Sequence, residues 1–333
     1  MKLTKKGVLM SNFKQILKNI SGKRIYIQTH NFPDPDAISS AFALQKLLKY
    51  EDIEAKIIYA GEIDRLSTIK MIKELNIDIC RMDCIKSIEK DDEIILIDAQ
   101  RGNSNITDTC ADKILCIDHH RIFGTNSYDY ADIRPDVGAC ASIIAKYYKE
   151  VGIEPDKDIC TALLYGIKID TANLTRGVSQ LDLDMFYELY NKADLEVISK
   201  LETSTLQLSD LHAYANAINS IKVIDKISFA NTGHNCPEAL IATISDFMLD
   251  ISEVSISIVY SYKEDGIRLS VRCDRGIYDA GIITNEALKL VGKGGGHAAM
   301  AGGFIPYQSE SDVNSYDVET LFIDAIRKLY TQK

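Results

Sequence analysis

Residues Ile25–Leu48 read IYIQTHNFPDPDAISSAFALQKLL. The segment opens as a short buried-type strand and closes as a helix, with apolar residues returning at three- and four-residue spacing from Ile38 onward. Between the two lie His30, Asp34 and Asp36, one imidazole and two carboxylates within seven residues. Crowding them at a strand's end is costly, because like charges repel and a carboxylate gives up water reluctantly. A positive charge at that point would offset the cost.

Outward from this segment, between Lys23 and about Gly177, β-type runs (RIYIQT, AKIIYA, EIILID, KILCID) alternate with helix-period runs (DAISSAFALQKLLKY, DRLSTIKMIKEL, VGACASIIAKYYKEV, DKDICTALLYGI). Continuous apolar strands separated by amphipathic helices predict a parallel sheet covered on both faces, a doubly wound α/β domain. Asp182–Ser220 lacks Gly and Pro and reads as a helical arm. After Ile221 come the strands KISFANT, EVSISIVYSY and GIRLSVRC, with the helices PEALIATISDFML, NEALKLV and DVETLFIDAIRKLY, the pattern of a smaller α+β domain. The expected division is 1–190, a helical linker over 191–222, and 223–333; a chain of 333 residues suits two domains.

With 46% hydrophobic and 26% charged residues, disordered and fibrous classes are excluded. A net charge of -10 argues against tight binding of long nucleic acid, which needs many phosphates neutralised by Lys and Arg. Short anions met by bound metal and a few arginines remain. The eight cysteines form no Cys-x-x-Cys pair and mostly sit in apolar runs, so they read as reduced core residues. The start MKLTKKGVLMSNF lacks the apolar core of a leader, and no window approaches the roughly 20 apolar residues of a membrane span. The expected location is the cytoplasm.

Ligands of an open parallel sheet collect outside the carboxyl ends of its strands. His30 follows IYIQT, Asp98 follows IILI, Asp118, His119 and His120 follow ILCI, and Asp170 follows the helix CTALLYGIKI. One rim can therefore gather His30, Asp34, Asp36, Asp98, His119, His120 and Asp170. Oxygen and imidazole donors without thiolate suit Mn²⁺ or Mg²⁺, and seven groups are enough for two ions. Two ions sharing a carboxylate make a water nucleophilic and stabilise phosphoryl charge. Taken singly, Asp34 and Asp36 also fit a helix N-cap and first turn, and Asp98 a turn. The consecutive histidines fit neither role, and the whole set points to function.

In GIRLSVRC, Ile267, Leu269 and Val271 share one face and Arg268, Ser270 and Arg272 the other. Two guanidiniums and a hydroxyl suit a terminal phosphate, although a solvated edge would look the same. In GKGGGHAAMAGG, Gly294, Gly295 and Gly296 precede His297 and let backbone N–H groups approach an anion; a surface loop is the alternative. No Lys-Ser/Thr pair follows, so this is not a Walker loop. His212 and His234 read as structural or surface residues. Arg101 and Arg176, just after two of the acidic segments, could reach a phosphate.

HNFPDPDAISS, LIDAQ, IDHH and LLYGIKIDT resemble the four motifs of the DHH phosphoesterases, and GIRLSVRC with LVGKGGGHAAMAGGF is similar to the DHH-associated domain that follows them. The resemblance runs from Lys23 to Phe304. It implies two divalent cations, most naturally Mn²⁺: the first on His30, Asp34 and Asp98, the second on Asp36, Asp98, His119 and Asp170, with Asp98 bridging. It also implies that Asp118 orients the neighbouring imidazoles and that His120 faces the scissile phosphate. Arg272 and the glycine loop would hold the far end of a short nucleotide across an interdomain cleft, with His297 on the substrate. The expected substrates are very short RNA or DNA oligonucleotides, linear dinucleotides and nucleoside 3′,5′-bisphosphates.

Departures from the family pattern are Ser39 where glycine is usual, DAQRGN without a further acid, and GIKIDTANLTRG without a threonine before Asp170 or an aromatic after it. The metal set survives them. Rival readings are a pyrophosphatase or polyphosphatase, not expected to carry the glycine–histidine loop and arginine strand, a single-strand exonuclease, and a nucleotide sensor without turnover. No membrane partner is expected, and exposed strands in the second domain leave room for a homodimer.

Overall fold

The computed structural model describes residues 12–21, 24–63, 65–103, 105–122, 127–203, 206–274, 276–307 and 317–330. Most of the stretch weighed as a leader, 1–11, lies outside them. The chain forms two compact units, Met1–Thr205 and Leu206–Lys333.

The first unit is built on six parallel strands, β1 (Ile25–Gln28), β2 (Ala55–Tyr59), β3 (Ile79–Arg81), β4 (Glu93–Ile97), β5 (Lys113–Asp118) and β6 (Tyr130–Ile133), in the order β3-β2-β1-β4-β5-β6. Register is set by alternation. Ile27, Ile57, Ile95, Ile97, Leu115 and Ile117 face the core shared with α1 (Asn12–Asn19), α2 (Pro35–Lys49), α3 (Leu66–Glu74), α4 (Cys140–Val151) and α5 (Lys157–Asp170). Tyr26, Ile58, Ile94, Leu96, Ile114 and Cys116 face the other way, against Ile85, Ile88 and Ile106 from short irregular connections. Both faces are covered, one by helices and the other by connections without long helices. The edge strands β3 and β6, three and four residues long, are too short to give a readable period.

The second unit is a mixed sheet of β7 (Lys222–Ile224), β8 (Ile227–His234), β9 (Ile256–Tyr262), β10 (Gly266–Cys273), β11 (Lys293–Gly296) and β12 (Met300–Pro306), ordered β11-β12-β10-β9-β8-β7. Ile267, Leu269 and Val271 pack with α10 (Ala280–Leu288) and α11 (Val318–Tyr330); the opposite face meets α8 (Asp210–Ser220) and α9 (Glu238–Leu249).

Three expectations need correction. The helical segment before Ser220 is not a free arm: α6 (Gln180–Tyr190) and α7 (Leu195–Glu202) bury Met185, Leu189, Ile198 and Leu201 in the first core, whereas α8 buries Ala213 and Ala217 in the second. Helix α10 starts at Ala280 and not near Asn285, its opening masked in sequence by Gly281; a Cβ there would stand 2.3 Å from Gly296 O, so the glycine lets helix and strand touch. The glycine-rich stretch is a β-hairpin, with β11 antiparallel to β12 and the reversal at residues 297–299. All eight cysteines are free, five of them buried. No helix among the described residues is long and apolar enough to cross a membrane.

Candidate metal centre

The strand order reverses direction between β1 and β4, and a crevice opens at such a switch point beyond the carboxyl ends. His30 and Asp34 follow β1, Asp98 follows β4 directly, and Asp118 closes β5. Asp98 does so in the left-handed region, φ 56°, at a cost of about 1 kcal/mol for a residue with a Cβ. Backbone strain of this kind gathers at functional sites.

Three overlapping groups each bring their ligand atoms within 4.8 Å: His30 with Asp34 and Asp98; Asp36 with His119 and Asp170; Asp98 with His119 and His120. His119 Nε2 lies 3.2 Å from Asp98 Oδ1, 3.1 Å from Asp170 Oδ2 and 4.0 Å from Asp36 Oδ2. His30 Nε2 lies 3.8 Å from Asp98 Oδ2 and 3.9 Å from Asp34 Oδ1. All seven rim residues named from sequence are thus together.

Asp34 and Asp36 hold helices as well. Asp34 N-caps α2, accepting from Asp36 N and Ala37 N, with Pro35 at the first helical position. Asp36 reaches across to α4, where Ala139 offers no side-chain cap, and accepts from Cys140 N at 2.7 Å and Ala141 N at 2.9 Å. The capping and ligand readings coincide in the same carboxylates.

The imidazoles are oriented from behind. His30 Nδ1 lies 2.8 Å from Asn31 O, and His119 Nδ1 lies 3.1 Å from Val137 O. A carbonyl only accepts, so Nδ1 carries the proton and Nε2 of each neutral ring presents a lone pair. Those lone pairs face carboxylate oxygens. Asp98 Oδ1 is buried and receives no hydrogen bond from the described residues. Acceptors aimed at acceptors require a cation or extra protons between them, and this donor set fits a divalent cation.

The electrostatics agree. Burial opposes a charge on His119, yet Asp170 and Asp98 raise its pKa well above the ordinary value; burial likewise opposes His30, but Asp34 and Asp98 lift it to about 9. Burial, then the Asp98 and Asp170 charges, push Asp36 well above the carboxylate range, and burial raises Asp98. Asp34 goes down because His30 outweighs its burial.

Asp118 stands apart, its burial overcome by His120 so that its pKa falls to about 2. Its Oδ1 accepts from His119 N and from His120 Nδ1, each at 2.8 Å. It therefore orients the His120 ring, whereas the His119 ring is oriented by the Val137 carbonyl. Gln100, which the sequence reading passed over, is buried and donates from Nε2 to Asp118 Oδ2 at 2.7 Å and to His120 O at 3.1 Å. A neutral amide two residues beyond Asp98 was the available signal. Asp182 was missed too: it accepts from Gly138 N, Ser142 Oγ and Ser179 N, fastening the start of α6 to the loop that carries Val137. Arg176 Nη2 donates to Asp170 O at 3.1 Å, and Arg101 Nε lies 3.5 Å from Asp108 Oδ1.

In the second unit Arg272 donates from Nη1 to Ser270 Oγ and from Nε to Asp246 Oδ1. Arg268 stacks on Phe304, 3.5 Å from its centroid, and pairs with Glu238 and Asp265. Glu238 and Asp246 lie eight residues, about 12 Å, apart along α9. The structure thus joins Ser270 to Arg272 and holds Arg268 elsewhere. A Cβ on Gly294 would strike Thr284 and Leu288, and one on Gly296 would strike Met300 O; Gly295 alone faces open space. The His297 backbone donates its N–H to Met300 O within the reversal, and its carbonyl accepts from Gly281 N of α10. His212 and His234 are exposed.

Fold and site together define a class. Residues 24–167 match the DHH family, N-terminal domain, and residues 222–328 match the DHHA1 domain. The first unit therefore carries a DHH domain and the second a DHHA1 domain. Among its relatives, an uncharacterized protein of Methanocaldococcus jannaschii is 30% identical over 284 residues, 85% of this chain and 58% of the relative, so the chain spans little more than half of that protein. A probable manganese-dependent inorganic pyrophosphatase of Bacillus licheniformis is 28% identical over 290 residues, covering 84% of this chain and 88% of the relative. The crystal structure of an exopolyphosphatase-related protein from Bacteroides fragilis shares the fold, with TM-score 0.72, 18% identity and 98% of each chain covered.

Proposed function

We propose that the chain is a metal-dependent hydrolase of short nucleotides, acting on linear dinucleotides, very short oligonucleotides and nucleoside 3′,5′-bisphosphates. The observation that carries this reading is the membership of Asp98 in two ligand groups, one with His30 and Asp34 and one with His119. His30, Asp34 and Asp98 would hold one divalent cation and Asp36, Asp98, His119 and Asp170 the other, with Mn²⁺ the natural occupant and Mg²⁺ the substitute. When bound, such ions activate water and offset charge on a phosphoryl group. Asp118, fixed by Gln100, keeps the Nδ1 proton of His120 in place, so that the ring can bind or protonate a substrate oxygen. In the second unit Arg272 with Ser270, Arg268, Gly294, Gly295, Gly296 and His297 are assigned to substrate. Arg272 and Ser270 form the preorganised pair, and Gly295 is the open backbone position.

The test is a panel with Mn²⁺: a dinucleotide, 3′-phosphoadenosine 5′-phosphate, a graded series of longer oligonucleotides, and pyrophosphate. Turnover of the first two, falling with chain length, is expected. No product from either with Mn²⁺ or Mg²⁺ would overturn the reading. A second reading is favoured by the relative from Bacillus licheniformis, named a manganese-dependent inorganic pyrophosphatase. Faster turnover of pyrophosphate than of any nucleotide would select it.

A further inference from the structure

We propose that Phe32 sets specificity by offering its ring as a stacking platform for the nucleobase of a substrate whose phosphate lies at the metal centre. The proposal rests on the hydrolase reading above and deepens it, naming an aromatic base as a recognised part of the substrate.

Phe32 stands midway between His30 and Asp34, so its Cα is within about 7 Å of both. It is 51% exposed and sits in the segment that carries two members of the ligand cluster, His30 and Asp34. Its backbone is left-handed, φ 57°, where a bulky side chain is an outlier and Asn or Gly would be at ease. Neither solvent nor backbone preference accounts for a phenylalanine here. The strained turn is held firmly: Phe32 N donates to Ala60 O at 3.1 Å, Asn31 N donates to Asn105 O at 2.6 Å, and Thr107 Oγ1 donates to Asn31 Oδ1 at 3.0 Å.

The ring is backed at one place. Gly61, φ 77°, leaves room for it, since a Cβ there would lie 2.8 to 3.0 Å from three ring atoms. The backbone at Gly61 thus supports part of the ring, and half the residue is left to solvent. A fixed, half-exposed aromatic surface beside a phosphate-handling site matches the flat face of a base, and such stacking tolerates any base. Inorganic pyrophosphate has no such face.

The chain contains no tryptophan, so Phe32→Trp places a single indole at the site. Titrating this variant, loaded with Mn²⁺, with adenosine 5′-monophosphate should quench its fluorescence, whereas inorganic phosphate should not. In kinetics, Phe32→Ala and Phe32→Leu should each raise KM for a dinucleotide on the order of 10- to 100-fold while KM for pyrophosphate is unchanged. Leucine keeps the apolar bulk over Gly61, so it separates loss of the ring from loss of packing. Wild-type KM for the dinucleotide in Phe32→Leu, an equal rise for pyrophosphate, or no quench by the nucleotide would each overturn the proposal. Failure of the hydrolase reading shows separately, as absence of turnover by the unaltered chain, and the fluorescence titration can still be read in that case.

Discussion

Asp118 is an acid whose oxygens are all spoken for, and Gln100 is the reason its Oδ2 is satisfied. Replacing Gln100 by Met keeps the volume and removes the donor. The buried oxygen then lacks a partner, at a cost of about 1–3 kcal/mol, read from urea melts. Turnover should fall about 10- to 100-fold, as when an outer partner of a metal site is removed, while calorimetry should still find Mn²⁺ bound, because no ligand has changed. A second residue-scale prediction concerns Asp132. Arg134 grips its carboxylate with two bonds and Tyr147 donates a third; together they outweigh burial and hold its pKa below the usual 3.8. A depressed pKa stabilises the fold above the unfolded-state value and loses that effect as pH falls through the folded-state value. The stability gap between the native chain and Asp132→Asn should therefore be full at neutral pH and shrink below about pH 4. At this scale the seven rim residues were legible because acids and imidazoles at strand ends are conspicuous. Gln100 was only faintly legible, as a neutral amide two residues beyond Asp98, and the Val137 carbonyl was not, since a backbone oxygen carries no sequence signal.

Helices α2 and α5 meet where Gly166 faces Ser39; a Cβ on Gly166 would stand 2.3 Å from Ser39 Oγ and 3.0 Å from Asp36 Oδ1. Gly166→Ala should destabilise by about 1–3 kcal/mol, as overpacking does. Adding Ser39→Gly should recover much of the loss, a coupling that a double-mutant cycle of denaturation midpoints would measure. If the two changes were simply additive, the contact would not be what sets this helix crossing. Elements with a clear period, such as α2, α4 and β10, could be read from sequence. The hairpin of β11 and β12 could not, because its glycines give no alternation. Glycine at 294 and 296 also has a packing reason that sequence does not reveal, since α10 crowds the first position and Met300 O the second.

Each half of the molecule has its own apolar core, and the ligand cluster lies wholly in the first. Two cores predict a calorimetric scan with two transitions. Mn²⁺ should raise only the one belonging to the first unit, by about 2.7 kcal/mol at a hundredfold excess over Kd, and a chelator should reverse the rise. Equal movement of both transitions would contradict this assignment. The two-unit plan was readable from the change of pattern near Ile221. The parting of the helices was not, because each has an apolar face and nothing in that face says which sheet receives it.

Asp36 serves two masters, since its oxygens secure the amino end of α4 as well as standing in the cation cluster. A descendant that lost its chemistry would still be under pressure to keep this acid, and Asp34 too, for the sake of two helices. His30, whose ring among the described residues meets its neighbour's carbonyl and the cluster itself, would be free to drift first. When deciding which cousins of this chain still turn over substrate, an intact histidine at that position is therefore better testimony than an intact pair of aspartates.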